Sequence, residues 1–316
     1  MPKVLFICGS ENQTSMMTRI SGHLQDCDCY FTPYYGDGLV DRFASFGLLD
    51  STILGRPVRE QTRMHLEKNG YLLDPFGRSG AFDLVVTCSD LIIPKNLTGL
   101  PFVLVQEGMT DPENYRYRIV RALGLPRYLA NTSMTGLSGK FRLFCVASEG
   151  FKKLFVRKGV PEDKIAVTGI PNFDDASSWI CNDFPHRGYV LAATSHLRET
   201  FKYENRKQFI RKALSIADGR PVFFKLHPRE RRDRAIREIR RHAPGQTVFD
   251  GGDILPMLAN CDALVTRYSS VILAALALEK PVYSDYDVSD LMLLKPVQNQ
   301  GRSAALIAER CRELLG

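Results

Sequence analysis

Asp262-Ala263-Leu264-Val265-Thr266-Arg267-Tyr268-Ser269-Ser270-Val271-Ile272-Leu273-Ala274-Ala275-Leu276-Ala277-Leu278 is the stretch on which the reading of this chain turns. Its first five residues are a short apolar run of strand character, and Arg267-Tyr268 break the run. Val271 to Leu278 is too long and too rich in Ala and Leu for a strand. The order is strand, tight turn, helix. Ser269 and Ser270 then stand at a helix N-terminus, where unpaired N–H groups and the helix dipole favour an anion. The same position suits a serine that only caps the helix, so the choice between the two rests on the remainder of the chain.

Outward from that stretch, similar apolar runs recur. Val4 to Cys8, Leu84 to Cys88, Phe102 to Val105, Leu143 to Ala147 and Ile165 to Thr168 precede a gap. Tyr189 to Ala193, Val222 to Leu226, Thr247 to Phe249, Ala263 to Thr266 and Val282 to Ser284 follow it. Short runs rich in Val, Ile, Leu and Phe, apolar on both faces and separated by helical segments, predict parallel strands covered by helices. The gap between Ile170 and Gly188 is dense in Pro, Asn, Asp and Ser, the composition of an interdomain connection. The expected organisation is therefore α/β, with one open sheet in residues 1–170, a linker at 171–187 and a second sheet in 188–316. Ser303 to Leu315, with Ala, Leu and Ile at helical spacing, reads as a helix closing the second domain. Ser10 to Gly80 shows no clean period and predicts no particular elements.

Composition narrows the class. The 316 residues suffice for two cores, and the 44% hydrophobic and 24% charged fractions are those of a globular protein. No apolar run approaches the ~18 residues that span a bilayer. The N-terminal Met1-Pro2-Lys3-Val4-Leu5-Phe6-Ile7-Cys8 enters a strand directly, without the apolar core of a signal peptide, which predicts a cytoplasmic protein. Cys8, Cys88, Cys145 and Cys261 lie in or beside apolar runs, as small buried hydrophobes do. Cys27 and Cys29 have no second pair at zinc spacing, which argues against disulfide and metal roles. Forty-two Lys and Arg against 35 Asp and Glu give +7, a balance suited to a polyanionic ligand or to peripheral contact with the inner face of a membrane. Arg229, Arg231, Arg232, Arg234, Arg237, Arg240 and Arg241 account for much of it. Interrupted by Glu230, Asp233 and Glu238, they predict a solvated helix face with i, i+4 ion pairs. No nucleic-acid-binding motif accompanies them.

Ligands of open α/β sheets bind beyond the carboxyl ends of the strands, so the residues just after each run are the candidates for chemistry. Gly9-Ser10-Glu11 follow the first run, where a glycine permits a tight turn and close approach of backbone to ligand. The glycine-rich dinucleotide fingerprint and the phosphate loop of P-loop enzymes are both absent. Asp90 follows Cys88-Ser89, and Gln106-Glu107-Gly108 follow Val105. A partly desolvated carboxylate in such a place can take a hydroxyl proton near neutral pH, which makes Glu107 the first candidate base, Asp90 the second and Asp111 the third. In the second half, Ala193 runs into Thr194-Ser195-His196-Leu197-Arg198-Glu199, and Leu226 into His227-Pro228-Arg229-Glu230. A histidine at a strand's carboxyl end beside an arginine is placed to donate to a phosphate oxygen. With Ser269 and Ser270, the two histidines describe an anion pocket at one edge of one sheet.

At these residues the chain resembles the GT-B superfamily of nucleotide-sugar enzymes, which includes bacterial capsule and surface-polysaccharide transferases and the UDP-N-acetylglucosamine 2-epimerases. Leu143 to Glu149 and Gly159 to Gly169 look like the segment by which these proteins leave their first domain. His227-Pro228 and Tyr268-Ser269-Ser270 are similar to two donor-binding motifs of the transferases, and Gln106-Glu107-Gly108 to their acidic catalytic motif. The resemblance covers about 140 to 290 well and the first 80 residues poorly. It implies two Rossmann-like domains facing across a cleft, with the donor held mainly by the second and the acceptor by the first. It further implies that His227 and Ser269-Ser270 bind the donor phosphates, that Glu107 deprotonates the acceptor hydroxyl, and that no metal or cofactor is needed beyond the nucleotide sugar as co-substrate. His196-Leu197-Arg198-Glu199 is similar in position to a His-Arg-Arg-Glu-Asn segment of the epimerases, and Asp90 to one of their catalytic acids. Ser10-Glu11-Asn12 stand where the epimerases carry Arg-Pro-Glu, and Tyr268-Ser269-Ser270 where they carry a Ser-Gly-Gly turn. The expectation is a glycosyltransferase, with an epimerase second and a non-catalytic nucleotide-sugar-binding protein third.

Overall fold

The structure, a computed structural model, describes residues 1–50, 52–200, 203–286 and 288–316. Its chain divides into two compact units, Met1–Asp174 with Gly301–Gly316, and Asp175–Gln300.

In the first unit, β1 (Lys3–Cys8), β2 (Asp28–Pro33), β3 (Leu72–Leu73), β4 (Leu84–Thr87), β5 (Phe102–Val105), β6 (Leu143–Val146) and β7 (Ile165–Val167) form one parallel sheet in the order β3-β2-β1-β4-β5-β6-β7. Val4 stands between Cys29 of β2 and Leu84 of β4, and Val103 between Val86 and Leu143. The central strands are apolar on both faces because helices cover both: Val4 to Phe6, Leu84 to Val86 and Val103 to Val105 are all fully buried. Strand order reverses between β1 and β4, the switch point at which open sheets of this kind leave a crevice.

In the second unit, β8 (Val190–Ala193), β9 (Val222–Lys225), β10 (Thr247–Phe249), β11 (Ala263–Val265) and β12 (Val282–Tyr283) form a parallel sheet in the order β10-β9-β8-β11-β12. Here the switch point lies between β8 and β11. One face packs Phe209, Ile210 and Ala213 of the helix Arg206–Ala217, with Ala235 and Ile239 of the helix Arg232–His242, against Val190, Val222 and Phe224. The helix Val271–Ala277 buries every one of its residues, as its Ala/Leu composition demands.

Two expectations need correction. The helix Ser303–Leu315 belongs to the first unit and not to the second. Its Arg312 Nε bonds the Asp26 carboxylate at 3.0 Å, and Asp174, 1% exposed, accepts from Ser303 N at 2.7 Å at the place where the chain returns. The junction itself falls at 174/175, inside the expected linker. Two arginines of the Arg232–His242 helix, in turn, pair with other segments instead of at i, i+4, while Arg237, Arg240 and Arg241 lie on the expected solvated face. Arg232 meets Asp250 and Arg234 meets Glu199, while Glu238 receives Arg198.

Candidate functional site

In the first unit, β1 ends at Cys8 and the chain turns through Gly9 into the helix Glu11–Ser21. Ser10 caps that helix in extended geometry, its Oγ accepting from Gln13 N. The same Oγ donates to Glu107 Oε1 at 2.8 Å, and Gln13 Nε2 donates to Glu107 Oε2 at 2.5 Å. Gly9 is required by this arrangement, because a Cβ there would lie 2.1 Å from the Gln13 side-chain oxygen. Gly9, Ser10 and Glu107 are thus brought together at the carboxyl edges of β1 and β5. Gln106 is buried and fixes the base of the loop: it donates to Gly108 O at 2.9 Å and accepts from Ala147 N at 2.9 Å. Half-buried Glu107 therefore carries one neutral donor on each oxygen and keeps a lone pair of each available.

Asp90 is engaged differently. It is 3% exposed, and its two oxygens accept from Gly136 N and Ser138 N, each at 3.0 Å, tying the turn before β6 to the end of β4. Asp111 accepts from Thr132 Oγ1 and is likewise tied to the loop below it.

In the second unit, His196 and His227 stack with ring centroids 4.0 Å apart and planes 25° from parallel, beyond the ends of β8 and β9. Thr194 Oγ1 accepts from His227 N at 3.0 Å and donates to Glu230 Oε2 at 2.6 Å, which fixes the 227–230 turn. Within that turn His227 Nδ1 accepts from Arg229 N at 3.1 Å. Burial first, then the His196 imidazole and Arg229, push the His227 pKa down to about 3, so the ring is neutral at pH 7. With Nδ1 accepting, the single proton of a neutral imidazole sits on Nε2, which makes His227 an Nε2–H donor. Pro228 follows it, exposed.

Tyr268, Ser269 and Ser270 follow β11, and all three are half-buried. The Tyr268 ring meets Tyr286 edge-on at 5.0 Å, and Arg267 is held by Asp285 at 2.6 Å. Ser269 Oγ accepts weakly from Val271 N at 3.4 Å, whereas Ser270, at the cap, makes no side-chain cap bond. β9 and β11 flank β8, so His227, His196 and Ser269-Ser270 issue from three adjacent strands at one sheet edge.

Arg198 is the residue whose placement differs most from a phosphate ligand. Its guanidinium grips Glu238 in bidentate fashion at 2.8 and 2.7 Å, with Nε 3.3 Å from Glu204. Buried Arg206 reaches both Glu204 and Glu230, and burial raises the Glu230 pKa while Arg206 opposes the rise. Arg198 thus belongs to a carboxylate-paired cluster with Glu204, Arg206, Glu230 and Glu238. Among the described residues, no group of three His, Cys, Asp or Glu could hold a metal ion.

Sequence reasoning missed Gln13. The Ser-x-x-Gln spacing of Ser10 and Gln13 is that of a capping box, and it marks the helix start. Here the glutamine side chain turns to Glu107 instead of back to the cap.

No family model matches the sequence, and no curated protein does. Solved structures do match in fold. A UDP-GlcNAc 2-epimerase from Neisseria meningitidis, solved bound to UDP-GlcNAc, is similar with TM-score 0.58 at 13% identity, over 98% of this chain and 100% of that one. MnaA from S. aureus, solved with UDP, is similar with TM-score 0.57 at 12% identity, over 100% of this chain and 90% of that one. Identity at this level speaks for architecture alone. Two parallel α/β sheets and a whole-chain match in architecture to these structures give this chain the GT-B fold.

Proposed function

We propose that the chain is a glycosyltransferase, moving a sugar or sugar-like group from a nucleotide donor to an acceptor hydroxyl in bacterial surface-glycan synthesis. The observation that carries this reading is the cradle of Glu107, whose carboxylate is held by two neutral donors, Ser10 and Gln13, at a sheet edge. A carboxylate so held is oriented by two neutral donors and not paired with a cation, which suits a general base. The acceptor oxygen bonds the anomeric carbon while its proton passes to Glu107. The bond from that carbon to the donor's phosphate oxygen breaks, and negative charge gathers on the leaving phosphate. The Nε2–H of His227 and the hydroxyls of Ser269 and Ser270 are the donors assigned to that charge.

Epimerisation of a UDP-sugar at C2 is the second reading, kept because the structures similar in fold include 2-epimerases that hold UDP or UDP-GlcNAc. Three features weigh against it: Asp90 is spent on backbone N–H groups, Arg198 is spent on Glu238, and Ser10-Glu11-Asn12 follow Gly9.

The test is incubation of the full chain with a panel of nucleotide sugars, with and without pooled glycan and polyol acceptors, following nucleotide release and C2 configuration by NMR. Acceptor-dependent release that falls in Glu107→Gln is expected. Conversion of UDP-N-acetylglucosamine at C2 without transfer would replace this reading with the second, and nucleotide binding without turnover would leave a binding protein.

A further inference from the structure

The helix Tyr115–Leu123 of the first unit buries only Tyr117 and Val120, which pack on Ala130 and Met134 of the following turns. On its opposite side Tyr115, Ile119, Ala122 and Leu123 lie at i, i+4, i+7 and i+8, one continuous face at helical period. Tyr115 is 67% exposed, Ile119 48% and Leu123 69%, and the chain after the helix adds exposed Leu125, Tyr128 and Leu129. Such a contiguous apolar face left in water marks a contact surface.

Its charge says what it contacts. From Asn114 to Ser148 the chain carries Arg116, Arg118, Arg121, Arg127, Lys140 and Arg142, and no Asp or Glu. Arg116 and Arg118 flank the apolar stripe on its two sides and are exposed, Arg116 Nε donating to Tyr115 Oη at 3.2 Å on the stripe itself, while Arg121 and Arg127 turn to Tyr117 Oη and Asp90 O. The exposed apolar segment with Leu39, Phe43, Phe46 and Leu48, by contrast, lies among Asp37, Asp41 and Asp50 and lacks this bias. A second copy of the chain would bring arginine against arginine across a two-fold contact.

We propose that the Tyr115–Leu129 face docks on a bilayer surface bearing anionic lipid headgroups. Apolar side chains enter the acyl boundary, and Arg116 and Arg118 extend along it to the phosphates. This inference rests on the exposed face alone and stands or falls independently of the reaction proposed above.

The experiment is flotation of the full chain with vesicles of phosphatidylglycerol and phosphatidylcholine, against vesicles of phosphatidylcholine only. Binding to the anionic vesicles that weakens with salt is expected. Each arginine near such a surface contributes about fivefold to binding, so Arg116→Glu with Arg118→Glu should weaken it by at least about twentyfold. Ile119→Ser with Leu123→Ser should abolish it while leaving the thermal midpoint in place, since both side chains are exposed. Phe43→Ser with Phe46→Ser should bind as the wild type does. Failure to float, equal binding to neutral vesicles, or wild-type binding by the Arg116/Arg118 variant would overturn the proposal. So would a dimer or an acidic protein complex that the same substitutions dissolve.

Discussion

What sets Glu107 apart from the buried carboxylates is the company it keeps. Asp90 is spent on two backbone N–H groups, Asp174 on Ser303 N and the Arg19 guanidinium, and Glu204 and Glu230 on arginines, whereas half-buried Glu107 meets a hydroxyl and an amide. Glu107→Gln keeps the shape and removes the proton acceptor, so turnover should fall by about a hundredfold or more with nucleotide affinity nearly kept. Steady-state kinetics beside a binding titration separates the two, and full activity in the variant would move the role elsewhere. His227 makes a prediction in pH. Its ordinary value of 6.5 falls to about 3 in the folded protein, chiefly through burial. Between those values the unfolded chain binds a proton that the folded chain does not. The stability His227 contributes is therefore present above pH 6.5 and lost as pH falls from there toward 3. His227→Asn should flatten that part of the stability–pH curve measured by denaturant melts, and superimposable curves would contradict the neutral, buried imidazole.

At the scale of elements, the loop after β4 is held to the turn before β6 by the Asp90 carboxylate, a buried charge satisfied by two N–H groups. Asp90→Ala leaves both donors unpaired and should cost about 2–4 kcal/mol of stability. Loss of turnover at wild-type stability would instead return Asp90 to the chemistry. The elements that sequence made legible are those whose residues are buried on both faces, and so could not be anything but apolar. β5 is readable from Phe102-Val103-Leu104-Val105 alone. β2, Asp28-Cys29-Tyr30-Phe31-Thr32-Pro33, fully buries only Phe31 and Thr32, and β3 is two residues at the sheet edge with Leu72 mostly exposed, so neither needs an apolar run. The candidate site divides in the same way. Residues that follow strands, such as Glu107 and His227, can be found by position, whereas Gln13 lies a turn inside a helix and matters through a partner 94 residues away. Arg198 shows the converse: the right residue type in the right place is given to Glu238, a pairing that spans 40 residues and that no local pattern announces.

For the whole molecule, the chain starts in the first unit, crosses to the second at 174/175 and returns at 301 to finish on the first. The amphipathic face of Ser303–Leu315 announced a docking helix, but the sequence could not name its partner, because apolar faces are interchangeable. Removing 303–316 should uncover apolar surface of the first unit, so limited proteolysis of the truncated chain should cut first within 1–174. Initial cuts confined to 175–300 would contradict that assignment. The central claim, that the second unit binds a nucleotide-sugar donor through the His227 and Ser269-Ser270 edge, is tested most directly by thermal shift. Wild type, His227→Ala and Glu107→Gln are compared against UDP, CDP, CMP, GDP, ADP and their sugar conjugates, since a ligand of the folded state raises its stability. The account predicts stabilisation by one base, an apparent affinity roughly tenfold weaker in His227→Ala, and near wild-type affinity in Glu107→Gln. No shift with any nucleotide, or the same shift in His227→Ala, would contradict it.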